Sequence, residues 1–440
     1  MLWMVLVPSA YSQSLATTYQ KAKTQDAQYL AAHNAFLAAM EKLPQARSGL
    51  LPAVSLTANK NRQFGEASFA GASAVDRDVQ SWSWTAQLTQ PLFRWASWVG
   101  YQQADAATQQ AVAHWAAAEQ DLVVRVVQAY LDVWVAAQGV ELMQSQLHAL
   151  NEQLVLAQKT YEVGTGTITD VHEARAKWAQ SQAQSVAASN ELEIKQAELE
   201  KIAGEPITVG LSSGQVAPAP DTLEPLAQWL SRAEMQSPQI RAQLAALEVA
   251  RKEVAKNQAA HLPTLDLVLS RATTDSSGSL SSPADMSTHV NSSQAGLQLT
   301  IPLYSGGGTQ SRVREALALV GKVQDELTHT RRTIASQVRQ AYVGILNGQA
   351  QVAALQSAID AGRNAVESNK IGLRIGTRIT PDVLNAEQQL YASLRDLSRV
   401  QAEIAIQYFK LRAATGSLTS DALMALDAMV LSAAETSSKE

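Results

Sequence analysis

The residue types that usually carry catalysis are sparse and scattered along this 440-residue chain. Its seven histidines lie far apart, no two of them form a His-x-x-x-His pair, and the sequence has no cysteine. A zinc site needs three or four such ligands close together, and a disulfide framework needs cysteines. The sequence therefore predicts no metal site, no cofactor and no enzymatic activity.

A glycine run at 306–308, followed by Thr309, superficially resembles a nucleotide-binding loop. It follows a predicted strand and opens a predicted helix, as a phosphate-binding loop does. However, it lacks the Gly-Lys-Ser/Thr ending that holds phosphate and magnesium. We interpret the run as a flexible joint where a strand becomes a helix.

Arg378 and Asp382 form a charged pair, four residues apart at the predicted start of a helix. At that spacing two helical side chains are neighbours. The acid also has a simpler interpretation, in which Thr380 caps the helix, Pro381 occupies its first position and Asp382 complements the helix dipole. Both interpretations stay open at this point.

The composition of the whole chain indicates long helices. Aromatic residues make up 5% and charged residues 17%, and small or uncharged residues fill the difference. Such a composition suits helices that bury small side chains against one another. The net charge of −5 gives no basic surplus, so the sequence offers no electrostatic support for nucleic-acid binding. It has no uninterrupted apolar run long enough for a transmembrane helix.

The first residues need a separate interpretation. An apolar stretch is followed by small residues, and Ala10-Tyr11-Ser12 resembles a signal-peptide cleavage site, although no basic segment precedes it. We expect residues 1–12 to be the remnant of a signal peptide. The alternative is an ordinary apolar N-terminus.

The chain contains two tandem copies of one structural unit. Four short motifs recur in the same order, the first two at an offset of 211 residues and the last two at 212. Four ordered matches with a single slip of one residue indicate an internal duplication. The paired motifs are LPAVSL at 51–56 with LPTLDL at 262–267, QLTQPLF at 87–93 with QLTIPLY at 298–304, QAY at 128–130 with QAY at 340–342, and VGT at 163–165 with IGT at 375–377.

Each copy contains two segments in which apolar and polar residues alternate, which is the pattern of a strand with two different faces. In one of them, Trp82, Trp84, Ala86 and Leu88 oppose a face of Ser, Thr and Gln. This pattern fits a membrane barrel with lipid outside and water inside. Four strands cannot close a barrel, and open edges are costly in hydrocarbon, so other copies of the chain must complete it. The alternative is a soluble helical rod that carries a small sheet.

Helical periodicity dominates the rest of the sequence. The two longest helices would each span roughly 105 Å at 1.5 Å per residue, and the others, including those over 14–48 and 223–260, are about half as long. We predict a signal remnant at 1–12, a first repeat at 13–203, a connector at 204–222, a second repeat at 223–416 and an equatorial or disordered tail at 417–440. The first repeat has strands at 53–60 and 80–92, a long helix at 94–163, a tip turn at 164–169 and a helix at 170–203. The second has strands at 264–271 and 292–303, a long helix at 305–375, a tip turn at 376–380 and a helix at 381–415.

Over essentially its whole length the chain resembles the TolC-like outer-membrane efflux and secretion channels, the outer membrane factors. The resemblance rests on the duplicated strand-to-helix motif, seen as QLTIPLYSGG at 298–307, on the Leu-Pro that opens the first strand of each pair, and on the turn motifs at 161–171 and 376–383. The fold that it implies is an α+β membrane protein with tandem duplication. In that fold three chains build a trimeric 12-stranded β-barrel, with four strands per chain, which is continued by a long 12-helix α-barrel.

The resemblance also implies a function and a set of partners. The protein would be the passive outer-membrane exit duct of a tripartite export system, for multidrug efflux or type I protein secretion, in a Gram-negative bacterium. It would form a homotrimer, contact outer-membrane lipid, span into the periplasm, and open at its periplasmic tip. Its partners would be a periplasmic adaptor (membrane fusion) protein and an inner-membrane transporter of the RND or ABC type. The competing hypothesis is a soluble or periplasmic helical coiled-coil scaffold without channel activity.

Three sets of site residues follow from the family's motifs. The two tip turns would receive the adaptor, although a glycine there also has the plain role of ending a helix. A polar lock would close the tip, and a ring of aspartates, which favours cations, would line the constriction. The tips are Val163, Gly164, Thr165, Ile375, Gly376 and Thr377, the lock is Arg378, Thr169 and Asp170, and the ring is Asp382 and Asn385.

The chain departs from the family pattern at two positions near the tip. Asn385 stands where the family often has a second acid, which halves the charge expected for the ring. Leu373 stands where an aromatic residue is often found. A second, aromatic contribution to the lock is therefore not expected.

Overall fold

A computed structural model describes residues 14–69, 73–209 and 223–418, which contain nine helices and four strands. The signal remnant predicted at 1–12, most of the connector and nearly all of the C-terminal tail lie outside these residues. The helices are α1 (Leu15–Gln25), α2 (Ala27–Met40), α3 (Lys42–Ser48), α4 (Trp95–Glu162), α5 (Ile168–Ala203), α6 (Leu226–Gln236), α7 (Pro238–Ala259), α8 (Gly308–Arg374) and α9 (Thr380–Ala414). The strands are β1 (Ala53–Ala67), β2 (Val75–Phe93), β3 (Thr264–Ser276) and β4 (Thr288–Thr300).

The described residues fall into two compact units. The first consists of the residues up to Ala35, of Ala113–Arg241 and of those from His329 onward, and is entirely helical apart from its turns. The second consists of Phe36–Val112 and Ala242–Thr328 and contains the sheet. The fold is thus mostly helical with four strands per chain, which confirms this part of the prediction.

The sheet is antiparallel, with the strand order β1-β2-β3-β4. Its outer strands, β1 and β4, each pair with one neighbour only in the part of the chain that the structure describes, so both edges of this sheet are open. An open edge presents a row of unpaired backbone N–H and C=O groups, which is a template for pairing with another chain.

All four strands extend further at one end than the alternation predicted. β1 continues from residue 60 to Ala67, β2 begins at Val75 instead of 80, β3 continues from 271 to Ser276, and β4 begins at Thr288 instead of 292. The prediction stopped too early because the strict alternation of apolar and polar residues is lost at these ends, whereas the backbone pairing continues without interruption.

The end of β4 was also predicted wrongly. It pairs only to Thr300 rather than to 303, and Pro302, which has no N–H to donate, follows two residues later.

The apolar face of the sheet is uncovered in the single chain. Val54 and Leu56 on β1 and Leu297 and Leu299 on β4 are all more than half exposed. Contiguous exposed apolar patches mark contact with a partner or a membrane. None of the helices in the described ranges is both long and apolar enough to cross a membrane.

The two strand-to-helix junctions are built differently. Where β2 passes into α4, Arg94 donates hydrogen bonds from Nε and Nη2 to the two carboxylate oxygens of the buried Asp266 on β3, at 2.8 and 2.7 Å. Where β4 leads to α8, the glycine run replaces such a pair, and Gly306 and Gly307 have φ of 61° and 79°. Only glycine adopts such values freely, so this run is a turn in the backbone.

The core of the first unit forms around α4. Leu122, Val126, Tyr130 and Trp134 follow one another at intervals of four and are nearly inaccessible to solvent, as expected for one face of a helix. Residues from three other helices complete this core, namely Leu15 of α1, Leu199 and Ala203 of α5, and Ala405 and Phe409 of α9.

The helix predicted over 14–48 is three helices, and a charged residue makes the first break. Asp26 follows α1, and one of its carboxylate oxygens accepts a hydrogen bond from the Tyr29 amide at 2.6 Å, which caps α2. Arg125 of α4 donates to both oxygens, at 2.9 and 3.0 Å. Similarly, the helix predicted over 223–260 breaks at Ser237, before Pro238.

The environment of Asp26 changes its acidity. Burial raises the pKa of this carboxyl group, but the hydrogen bonds from Arg125 and from the Tyr29 amide outweigh that effect, and the pKa lies below its usual value. Because the pKa is lower in the folded chain, the pair stabilises the fold at neutral pH, and this contribution is lost as the pH falls through the lowered pKa.

Candidate functional site

The residues predicted to act lie at two turns of the first unit, where long helices reverse direction. At the first turn α4 ends at Glu162, and the amides of Thr165 and Gly166 both donate to the carbonyl of Thr160, at 2.9 and 3.0 Å. Gly164, which lies between the end of α4 and Thr165, has a φ of 80°. This is a left-handed residue that ends a helix, the role glycine commonly takes.

The second turn repeats this geometry. The amides of Thr377 and Arg378 donate to the carbonyl of Gly372, at 2.9 and 3.2 Å, and Gly376 has a φ of 77°. The matching donors, acceptors and glycines are 212 residues apart along the sequence. The duplicated motif therefore specifies the same backbone turn twice.

Each turn presents an exposed aliphatic side chain just before its glycine. Val163 is 78% exposed and Ile375 is 69% exposed. A groove of about 450 Å³ lies between the two turns and is lined by residues of both, including Thr165, Gly166, Gly376 and Thr380. The structure thus brings the predicted tip residues of the two repeats to one end of the first unit.

Asp170, predicted in the lock, has a local partner. It forms a capping box with Thr167: its amide donates to the Thr167 hydroxyl at 3.2 Å, and its carboxylate accepts from the Thr167 amide at 3.1 Å. The hydroxyl of Thr167 also donates to this carboxylate, at 2.7 Å. Thr169 is exposed beside it. In the single chain, Asp170 therefore stabilises the start of α5.

Arg378 pairs within its own segment. Its Nη1 lies 3.6 Å from a carboxylate oxygen of Asp382, and the Arg378 side chain is exposed while that of Asp382 is partly buried. Asn385, one turn further along α9, is exposed. The contacts of Arg378 with Asp170 or Thr169, and the ring of Asp382 and Asn385, stay predictions, since they concern an assembly of several chains.

The interpretation of Thr380 as the cap of α9 is wrong. The residue before the helix is Ile379, which has no side-chain oxygen to accept a hydrogen bond, and Thr380 is the first helical residue, followed by Pro381. α9 therefore starts without a side-chain cap, whereas α5 has one. Asp382 lies in the first turn, where an acid complements the helix dipole.

One buried charge near the tip was not predicted. The carboxylate of Glu387 on α9 is 3% exposed, and Nζ of Lys370 on α8 lies 2.7 Å from one of its oxygens. Burial, and the charge of Glu387, raise the pKa of the nearby Tyr391. The two residues are on different helices, so no spacing along the sequence indicates the pair.

Within the described ranges, no group of three or more His, Cys, Asp or Glu side chains could hold a metal ion.

Comparison with known proteins gives consistent matches over most of the chain. The family model "Outer membrane efflux protein" matches residues 18–205 and again residues 229–417. The proteases secretion protein PrtF of Dickeya chrysanthemi is 30% identical, over 97% of this chain and 93% of its own. The alkaline protease secretion protein AprF of Pseudomonas aeruginosa is 29% identical, over 94% of this chain and 87% of its own. The solved structure of the outer-membrane channel OprN has the same fold, with a TM-score of 0.79 at 18% identity, over 92% of this chain and 90% of its own.

Proposed function

Because the chain belongs to the outer membrane efflux protein family, we propose that it works as the exit duct of a tripartite export system. It is an outer-membrane protein of a Gram-negative bacterium. Membership in this family of channels decides against the hypothesis of a soluble scaffold. The duct has no chemistry of its own, and the energy for transport comes from its partners.

The four-stranded sheet carries this proposal. It has two open edges and an uncovered apolar face. The edges cannot remain open in a membrane, where an unpaired backbone group costs several kcal/mol, whereas the apolar face is suited to contact with lipid. Three chains, with β1 of each paired to β4 of the next, close a 12-stranded barrel without an edge. The face with Trp84 and Leu299 then meets lipid, and the face with Gln87 and Gln298 lines the lumen.

Because each chain contains two copies of one structural unit, a trimer contains six copies and has approximate sixfold symmetry. The two family matches begin at 18 and 229, 211 residues apart, in agreement with the motif offsets. In the proposed assembly α4, α5, α8 and α9 of each chain continue the barrel as a 12-helix tunnel across the periplasm. We place the boundary between the repeats in the segment 204–222, and we assign this connector and the tail at 417–440 to an equatorial belt.

The partners are a periplasmic adaptor and an inner-membrane transporter. The adaptor docks at the two tip turns, where the exposed Val163 and Ile375 offer apolar contacts beside the groove between the turns. Because PrtF and AprF are named for the secretion of proteases, we favour a polypeptide cargo and an ABC-type transporter over small-molecule efflux with an RND pump.

The tip is closed by weak polar contacts. Arg378 is exposed, and its ion pair with Asp382 is long, so it can exchange that partner for Asp170 or Thr169 of a neighbouring helix at little cost. Exposed ion pairs are worth about 0.2–1 kcal/mol each. Three symmetric copies of this weak contact keep the tip closed at rest and still allow an adaptor to open it.

Replacing Arg378 by Ser together with Asp170 by Ala is expected to raise the single-channel conductance in planar lipid bilayers, because the contacts that close the tip are lost. Arg399→Ser is a matched control. It removes the same charge from a 3.6 Å ion pair with Glu403 at the same spacing of four residues. Unchanged conductance in the double variant would show that another contact closes the tip.

Asp382→Ala is expected to abolish block of the channel by multivalent cations added on the periplasmic side, because three copies of this acid set the potential of the constriction. Asn385→Ala, one turn away and uncharged, is the control and should retain the block. If the block persists without Asp382, its carboxylate serves only the helix dipole.

A further inference from the structure

The connection between β3 and β4, residues 277–287, is held down by one side chain. The guanidinium of Arg77, near the start of β2, donates hydrogen bonds to three backbone carbonyls of this loop, those of Ser279, Ser282 and Pro283, the last two at 2.6 and 3.0 Å. It also lies over the ring of Phe69, 5.2 Å from its centroid. Arginine is suited to such a contact because its donors form a rigid fork.

The loop has an ordered shape of its own. The hydroxyl of Ser279 accepts hydrogen bonds from the amides of Ser281 and Ser282, at 3.2 and 3.1 Å. The carboxylate of Asp285 accepts from the amide of Ser279, at 3.1 Å. These bonds close a compact turn whose carbonyls point at Arg77, so the loop and the arginine form one unit.

The register shows which face of the sheet the loop covers. Side chains alternate between faces along a strand, and β2 pairs with β1 without a shift from Val75 to Thr89. Arg77 and Val79 therefore share a face with Gln87, which is the polar face. Val79 is only 7% exposed.

Two glycines confirm this placement of the loop. If residue 278 of the loop carried a side chain, its Cβ atom would lie 3.6 Å from a methyl group of Val79, so the loop backbone packs against Val79. On β1, a Cβ on Gly65, the strand partner of Arg77, would lie 3.7 Å from the side chain of Leu280. The loop thus folds over the polar face and not over the apolar one.

We propose that residues 277–287 form a lid at the outer end of the duct, with Arg77 as its latch. The proposal rests on the proposed function, in which the polar face lines the lumen. Three copies of the loop then lie inside the rim of the barrel and narrow its mouth. The latch consists of hydrogen bonds to backbone carbonyls, and because water can replace these bonds, the lid can open for outgoing cargo.

The opposite face offers a matched control. Arg62 on β1 donates to both carboxylate oxygens of Asp78 on β2, from Nε at 2.9 Å and from Nη2 at 2.5 Å. Arg62 pairs with Gln80 in the register and so lies on the apolar side. Arg62→Ala removes an arginine from the same end of the sheet, but it leaves the loop contacts intact.

The lid can be tested on the full-length protein in intact cells. The chain has no cysteine, so Gln87→Cys introduces a single thiol on the polar face, roughly 33 Å further along β2 than Arg77 at about 3.3 Å per residue. Its labelling from outside the cell is followed with a small maleimide and with a polyethylene-glycol maleimide of several kilodaltons. This assay reports on the outer mouth independently of the periplasmic tip.

Arg77→Ala is expected to speed labelling by the large reagent about tenfold, since the loss of even one charge-assisted hydrogen bond shifts an equilibrium by that factor. Labelling by the small reagent should change little. A variant with residues 279–285 replaced by a short Gly-Ser turn should behave like Arg77→Ala, which separates the loss of the latch from damage to the strand. Arg62→Ala should label at the original rate.

Two results would overturn the proposal in distinguishable ways. If the small reagent labels Gln87→Cys but neither Arg77→Ala nor the shortened loop speeds labelling by the large reagent, the loop is not a lid. The proposed function as an exit duct is then unaffected. If the small reagent fails to label this thiol in every variant, the polar face does not line an open lumen, and the proposed function fails together with the lid.

Discussion

Leu299→Arg is expected to destabilise the membrane-inserted protein by about 2–4 kcal/mol, the cost of a cation well inside the lipid-facing apolar band, whose exposed side chains on this segment run from Leu297 to Leu303. Leu299 lies on the edge strand β4, is 60% exposed in the single chain, and shares its face with Leu297 and with its strand partner Leu265. In the proposed barrel that face meets hydrocarbon. Because the side chain projects from the sheet and is not packed in a core, the cost mainly reports its exposure to lipid.

The adjacent residue provides the control for this prediction. Gln298 lies on the opposite face, opposite Asp266 in the register, so Gln298→Arg places the same cation on the polar side, where the water of the lumen hydrates it. It should cost well under 1 kcal/mol. The measurement is denaturant unfolding of both variants from lipid vesicles. Equal losses from the two faces would indicate a sheet buried in soluble protein.

Lys370→Ala is expected to cost about 2 kcal/mol of stability, because it leaves the buried carboxylate of Glu387 without a counter-charge. The full penalty for breaking a buried pair is not expected, since Lys370 itself is 42% exposed and water can enter where its side chain was. Glu387→Gln should cost less, because the lysine that it leaves unpaired can turn to solvent.

The two substitutions together distinguish charge from packing. If the lost stability comes from an uncompensated carboxylate, Glu387→Gln should restore most of it in the Lys370→Ala background. Lys177→Ala is the control, because Lys177 contacts the neighbouring Gln388, a neutral partner, at 2.9 Å. Urea unfolding in detergent, followed by helical circular dichroism, measures all four variants. A double variant no more stable than Lys370→Ala alone would contradict this explanation.

The periodic parts of this fold could be predicted from the sequence. Long helices and four strands leave repeated patterns, and the duplication shows each pattern twice, so both long helices were found to within three residues of their ends. Breaks in helices were missed where a single side chain makes them, as Asp26 does at the start of α2. A capping aspartate inside an otherwise helical segment looks like any other surface acid.

The tip turns could be predicted because Gly164 and Gly376 are required by a left-handed backbone. Other features could not be predicted. The pair of Lys370 and Glu387 joins two helices, and Arg77 contacts carbonyls about 200 positions away. A backbone carbonyl is the same at every position, so such a contact leaves no pattern in the sequence.

The central claim is that three chains build one channel, and the mass of the purified protein in detergent tests it most directly. Each chain has a mass of 47.2 kDa. Light scattering corrected for bound detergent should give a trimer, and the sheet should become resistant to denaturant only in that trimer, since a single chain leaves both edges open. A stable, monodisperse monomer with a folded sheet would contradict the account.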